Sequence, residues 1–156
     1  MGQRGKIHKY DNFNTPVEAW DLIKKYINIT GKKTWCPFWN DGDITFSHSD
    51  IIHQDKDFFT YVPEEYDFLI DNCPYSIKKE ILIRCIALEK PFALLLPLET
   101  LERKYFKLLV KNKDFTMIIP NKRYNFQGGQ SKKNIMFKTA WYCFGFDLQS
   151  QLIFED

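Results

Sequence analysis

The chain has 156 residues, 44% hydrophobic and 27% charged, which is the balance of one soluble globular domain. At this size roughly 70% of the unfolded surface is buried on folding, so a substantial core is expected. A net charge of only +2 excludes a global basic field as the sign of a nucleic-acid partner. Four cysteines (Cys36, Cys73, Cys85, Cys143) show neither Cys-x-x-Cys spacing nor a histidine at metal-ligand distance, so free thiols, no metal and a cytoplasmic, reducing location are expected. No apolar run approaches roughly 18 residues and no signal-peptide pattern opens the chain, so no membrane role is expected.

Residues 1–12 are polar and basic and read as a flexible N-terminus; 13–156 reads as one domain. A helix start follows, with Thr15 as the cap, Pro16 in the first turn and Glu18 closing a capping box. Val17, Trp20, Ile23 and Ile27 then give one apolar face. Thr34 to Cys36 reads as a strand, leading into Pro37-Phe38-Trp39-Asn40-Asp41-Gly42, where an Asp-Gly pair suits a turn. Asp50 to His53 reads as a second strand, running into the acidic and aromatic stretch Asp55-Lys56-Asp57-Phe58-Phe59. His53, like His8 and His48, reads as structural.

Phe68-Leu69-Ile70 is a short buried strand ending in the polar turn Asp71-Asn72-Cys73-Pro74-Tyr75. Ser76 then caps a helix from Ile77 to about Leu88, with Ile77, Ile81, Cys85 and Leu88 on one face. Pro91 to Leu98 is apolar on both faces, as suits an interior parallel strand. Thr100 caps a further helix carrying Leu101, Tyr105, Leu108 and Leu109. Phe115–Ile119 and Ala140–Phe146 are the remaining strands. Strand and helix alternate, so the class is α/β with a mostly parallel sheet. Between the last two strands, residues 121–139 carry five basic residues, three aromatics and no acid. Lys122, Arg123, Lys132, Lys133 and Phe126 are the candidates there for contacting a nucleic-acid strand, cations on phosphates and rings on bases; a solvated basic loop is the bland alternative.

Two of these stretches carry a resemblance. Asn72-Cys73-Pro74-Tyr75 resembles the (Asp/Asn)-Pro-Pro-(Tyr/Phe) motif of the S-adenosylmethionine-dependent adenine-N6 DNA methyltransferases, with Cys73 in place of a proline. Cys36-Pro37-Phe38 and Gly42 resemble the cofactor loop (Asp/Glu)-Pro-Phe-x-x-x-Gly of the same family, with Cys36 in place of the acid. The resemblance spans roughly residues 13–146. It implies a Rossmann-like class I methyltransferase fold with helices on both sheet faces and an antiparallel last strand, and no separate target-recognition domain. It implies S-adenosylmethionine as cofactor, held by Thr15, Pro16, Cys36, Pro37, Phe38, Asp41, Gly42, Asp55, Asp57 and Phe58. Small members of this type occur in phages and large viruses, which would place the protein in host cytoplasm.

The implied chemistry suits the residue types. The lone pair of adenine's exocyclic amine is delocalised into the ring, so both amine hydrogens must be held while the nitrogen bends toward a tetrahedral geometry. The Asn72 side-chain oxygen and the Cys73 carbonyl are the two acceptors, Pro74 restricts residue 73, and Tyr75 stacks on the extruded base. The implied partner is nucleic acid, DNA before RNA, single-stranded or read with a partner protein or as a homodimer. Two other readings stand beside it. One is a catalytically inactive methyltransferase-fold binding protein or partner subunit; the other is methylation of another planar amine, cytosine N4 or a protein glutamine.

Overall fold

A computed structural model describes residues 14–38, 50–53, 56–126 and 135–156. The expectations for 1–12 and for Asp41, Gly42, Asp55, Lys132 and Lys133 lie outside these residues. In chain order the elements are α1 (Val17–Lys24), β1 (Lys33–Trp35), β2 (Asp50–Ile52), β3 (Phe68–Asn72), α2 (Lys78–Ala87), β4 (Phe92–Pro97), α3 (Lys104–Val110), β5 (Phe115–Ile119), β6 (Tyr124–Phe126), β7 (Ile135–Phe137), β8 (Thr139–Phe144) and β9 (Leu152–Phe154). The described residues form a seven-stranded sheet in the order β2-β1-β3-β4-β8-β5-β9, and β6 pairs with β7 as a separate antiparallel hairpin. Every neighbouring pair in the large sheet is parallel except those made by β8, which runs antiparallel between β4 and β5.

The strand pattern explains the layers. Side chains alternate across a sheet, so a strand buried on both faces needs apolar residues at every position. β4 meets this with Phe92 to Leu96 all buried. Ala93 and Leu95 join Ile70, Ile118, Trp141 and Cys143 on one face, packed by Trp20, Leu22 and Ile23 of α1 and by Tyr124 and Phe126 of the hairpin. Phe92, Leu94 and Leu96 join Leu69, Met117, Tyr142 and Phe144 on the other, under Ile81, Leu82 and Cys85 of α2 and Phe106 of α3. β4, which suits an interior parallel strand in sequence, is parallel to β3 and antiparallel to β8, because β8 enters the sheet between β4 and β5. The expected antiparallel last strand is β8; the chain adds β9 after it, parallel to β5.

Three expected helix caps are not formed. α1 starts with Pro16 at its cap position and no side chain caps it, so the Thr15–Glu18 capping box is absent. The Thr15 hydroxyl is engaged elsewhere, as described below. Val17, counted on the apolar face, is 41% exposed. Ser76 does not cap α2: Tyr75–Ile77 form a 3₁₀ turn and the helix begins at Lys78. Thr100 lies buried inside a second 3₁₀ turn, Leu98–Glu102, ahead of α3. In both places proline, Pro74 or Pro97, supplies an extended entry, and a tight turn takes the place of a side-chain cap.

Three strands, β6, β7 and β9, were missed at the sequence level. The stretch 121–139, expected as a loop, contains β6 and β7. β9 is short, and its Leu152 and Phe154 are 45% and 64% exposed. It is held to β5 by bonds from Met117 N–H to the Gln151 carbonyl and from Glu155 N–H to the Ile119 carbonyl, both 2.9 Å. As an edge strand it is blunted locally. The Ser150 hydroxyl donates to the Leu152 carbonyl at 2.9 Å and accepts the Leu152 N–H at 3.4 Å, covering backbone groups that another strand would otherwise use.

Candidate active site

From β1 the chain passes outward to β2, then returns to place β3 on the opposite side of β1. Strand order therefore reverses between β1 and β3, and the carboxyl ends of these two strands flank the crevice where open α/β sheets bind ligands. Cys36, Pro37 and Phe38 leave β1 at this point, and Asn72 ends β3 beside them. The two segments are joined directly. Cys36 Sγ donates to the Ile70 carbonyl at 3.2 Å, and Phe38 N–H donates to Asp71 Oδ2 at 2.6 Å. His53 Nδ1 lies 2.9 Å from the Cys36 carbonyl, which ties the end of β2 to the same loop and gives this histidine a structural contact.

Asn72 is half-buried, and the two ends of its side-chain amide are in different situations. Nδ2 donates to Thr15 Oγ1 at 2.9 Å. Oδ1 is buried and has no hydrogen-bond partner among the described residues. A buried acceptor left open costs about 1–3 kcal/mol, so its presence calls for an explanation, and a ligand donor is one. Thr15 is 4% exposed and lies one residue ahead of Pro16, which holds the cap position of α1. Replacing Thr15 with the isosteric valine removes the acceptor and leaves Nδ2 unsatisfied as well. Thr15→Val is expected to lower stability by about 1–2 kcal/mol. A thermal midpoint down by roughly 3–8 °C would show it, and an unchanged midpoint would mean the latch contributes nothing.

Around Asn72, Cys73 is 4% exposed and its side chain packs on the α2 face of the sheet. Pro74 is extended (φ −59°, ψ 121°) and leads into the 3₁₀ turn that begins at Tyr75. Tyr75 is half-buried, with its hydroxyl end inside the protein. Asp57 accepts the Phe59 N–H on Oδ1 at 3.0 Å, leaving Oδ2 without a partner among the described residues. Pro16 is half-buried at the start of α1, next to Thr15.

Three expected contacts are corrected by burial. The Cys36 side chain is fully buried and its thiol is committed to β3, so it offers no side-chain group to a cofactor. Phe58 is 5% exposed, with ring centroids of Trp35, Phe38 and Phe59 at 5.4, 4.9 and 5.4 Å and the Arg84 guanidinium over its ring at 5.8 Å. Arg84 Nε also donates to the Phe58 carbonyl at 3.0 Å. This ring is core, enclosed on its own side of the sheet, and has no face for an adenine. Phe126 is 1% exposed beneath the hairpin and is unavailable for base stacking; alternation along β6 turns Tyr124 and Phe126 inward and leaves Asn125 outside. Lys122 and Arg123 are exposed just before β6, with Lys122 Nζ 3.9 Å from Glu18.

The residue that sequence reasoning missed is Asp71. It is fully buried, its Oδ1 accepts the Asn72 N–H at 2.8 Å, and its Oδ2 holds Phe38. An acid directly after the buried run Phe68-Leu69-Ile70 was the available signal. Among the described residues, no group of three or more His, Cys, Asp or Glu side chains is arranged to hold a metal, and no helix is long and apolar enough to cross a membrane.

No protein-family model matches the sequence, and no curated protein does. Solved structures match in architecture. The methyltransferase subunit of the type I restriction-modification system from Streptococcus thermophilus aligns over 91% of this chain and 47% of its own, with 12% identity and a TM-score of 0.53. The fold is the Rossmann-like class I methyltransferase fold. Its mark here is a parallel sheet with one antiparallel strand, β8, inserted between β4 and β5. This chain spans about half the length of the Streptococcus subunit. A precorrin-6y C5,15-methyltransferase from Geobacter metallireducens aligns over 92% of this chain and 100% of its own, at 10% identity and a TM-score of 0.48. A predicted O-methyltransferase from Agrobacterium tumefaciens aligns over 86% and 82%, at 8% identity and 0.48.

Proposed function

We propose that this protein is an S-adenosylmethionine-dependent methyltransferase acting on the exocyclic amine of adenine in nucleic acid, DNA before RNA. The observation that carries the reading is Asn72 Oδ1, buried and without a hydrogen-bond partner among the described residues, at the reversal point of a methyltransferase-fold sheet. The Thr15 hydroxyl takes up the Nδ2 end of the amide, and the oxygen is the end left to accept a hydrogen bond.

The chain's own residues then divide the work. Asn72 Oδ1 accepts one amine hydrogen and the Cys73 carbonyl accepts the other, drawing the nitrogen out of conjugation. Cys73 serves through its backbone alone, so the loss of the motif's proline leaves the acceptor in place. Tyr75 presents its ring to the base. Pro37 and Phe38 border the cofactor, and Asp57 Oδ2 accepts from a ribose hydroxyl. Thr15 and Pro16 close the crevice from the side of α1. S-adenosylmethionine, when bound, supplies a methyl group already activated on a sulfonium, so positioning and preorganised dipoles are what the protein must add. Lys122 and Arg123, at the foot of the hairpin, meet the phosphates; Lys132 and Lys133 are proposed to join them.

The reading is tested by incubating the protein with labelled cofactor and with single- and double-stranded DNA and RNA, followed by mass spectrometry of the nucleosides. N6-methyladenine in any substrate is the expected result. N4-methylcytosine or a methylated protein glutamine would transfer the same site to another planar amine. A methyltransferase-fold partner without activity predicts instead that the cofactor gives no melting shift, where a ligand at 100 times its dissociation constant stabilises by about 2.7 kcal/mol. The likeness to a restriction-modification methyltransferase subunit also makes a specificity-giving partner, or a second copy of this chain, part of this proposal.

A further inference from the structure

The place taken by an acid in the resembled cofactor loop belongs here to Cys36, and its side chain is spent on the Ile70 carbonyl. A carboxylate nevertheless stands at this point of the fold, carried by the neighbouring strand. Asp71, fully buried, accepts the Phe38 N–H on one oxygen at 2.6 Å and the Asn72 N–H on the other at 2.8 Å. One side chain thus touches both the loop after β1 and the residue whose amide oxygen stands open.

We propose that Asp71 is the positioning residue of this site, supplying from β3 the carboxylate that the loop lacks at Cys36 and holding the backbones of Phe38 and Asn72 in one fixed relation. The inference rests on the methyl-transfer reading. Its chemistry is specific to a carboxylate. Two oxygens of an ionised acid accept from two N–H groups at once, and bonds to an ionised acceptor are the short, strong ones. An amide of the same shape has one oxygen and would turn an N–H toward one of the two donors.

The molecule contains its own control. Asp67 Oδ2 accepts the Lys33 N–H at 2.7 Å, the same carboxylate-to-backbone tie between the same two strands, but exposed and at their amino ends, away from the crevice. If Asp71 only staples β1 to β3, the two aspartates should behave alike.

The experiment compares wild type, Asp71→Asn and Asp67→Asn as full chains. Affinity for S-adenosylhomocysteine is measured by calorimetry, and amide hydrogen exchange at Phe38 and Asn72 is measured without ligand. Asp71→Asn is expected to weaken affinity at least tenfold and to speed exchange at those two amides, while Asp67→Asn stays within twofold in affinity. Asp71→Ser, which keeps one acceptor, is expected to fall between and serves if the asparagine variant does not fold. Equal losses in the two aspartate variants, or an Asp71→Asn affinity within twofold of wild type, would overturn the inference. If wild type itself binds no cofactor, the functional reading fails, and exchange decides the clamp separately. Acceleration confined to Phe38 and Asn72 supports it; acceleration spread over the whole sheet overturns it.

Discussion

Asn72→Ala is expected to reduce methyl transfer by about a hundredfold or more, with cofactor affinity within about threefold of wild type. The asymmetry follows from where the side chain sits. Its oxygen is the open acceptor at the crevice, whereas the loop after β1 is held by Asp71 and by the Cys36 thiol, neither of which uses the Asn72 side chain. Truncation also removes a buried, unpaired oxygen, a group that destabilises the free protein. It loses the Thr15 bond at the same time, so the net change in stability should be small. A rate loss with a near-constant melting midpoint is therefore the signature of a group kept for the reaction. Single-turnover rates with saturating cofactor, beside calorimetric titration of the cofactor, separate the two effects. A variant that methylates at near the wild-type rate would remove Asn72 from the chemistry, and the proposal with it.

Trp141→Ala is expected to be the most destabilising substitution of those considered, at about 3–5 kcal/mol. Trp141 is fully buried at the centre of β8, its ring centroid lies 5.6 Å from that of Trp20, and its Nε1 donates to the Ala19 carbonyl at 2.9 Å. The substitution opens a large cavity and leaves a carbonyl of α1 without its partner. Domains of this kind are stable by only about 5–15 kcal/mol, so much of the total is at stake. The consequence reaches the crevice, because α1 carries Thr15 at its leading end and Thr15 holds Asn72. Trp141→Phe keeps most of the ring but not the N–H, and should cost about 1–3 kcal/mol. Urea unfolding with unchanged slopes checks both values. A loss under 1 kcal/mol for alanine would mean that α1 is not anchored through this residue.

The site was legible in part, for reasons visible in particular residues. Asn72 stands out in the sequence because the chemistry proposed for it rests on a local four-residue pattern. Pro37 and Phe38 stand out the same way, and the structure sets them beside the end of β3. Phe58 and Phe126 were misassigned because an aromatic ring reads the same in sequence whether it faces a ligand or the core; alternation along β6 and the packing around Trp35 turned both inward. Thr15 was read as a cap because Thr-Pro-x-Glu is a local signal. A partner 57 residues away took its hydroxyl instead. Asp71 was passed over because an acid at a strand end looks solvated until its neighbours are known.

The α/β class, the buried runs at Phe68–Ile70 and Phe92–Leu96, the span Phe115–Ile119 and the polar residues closing β3 were all set by the sequence, because periodicity and turn chemistry act over a few residues. Strand order, the insertion of β8, the edge strand β9 and the meeting of Thr15, Phe38, Asp71 and Asn72 were decided by tertiary structure alone. Each depends on which segments cover each other's apolar faces and backbone groups. That is a property of long-range packing, which no local window of the chain contains.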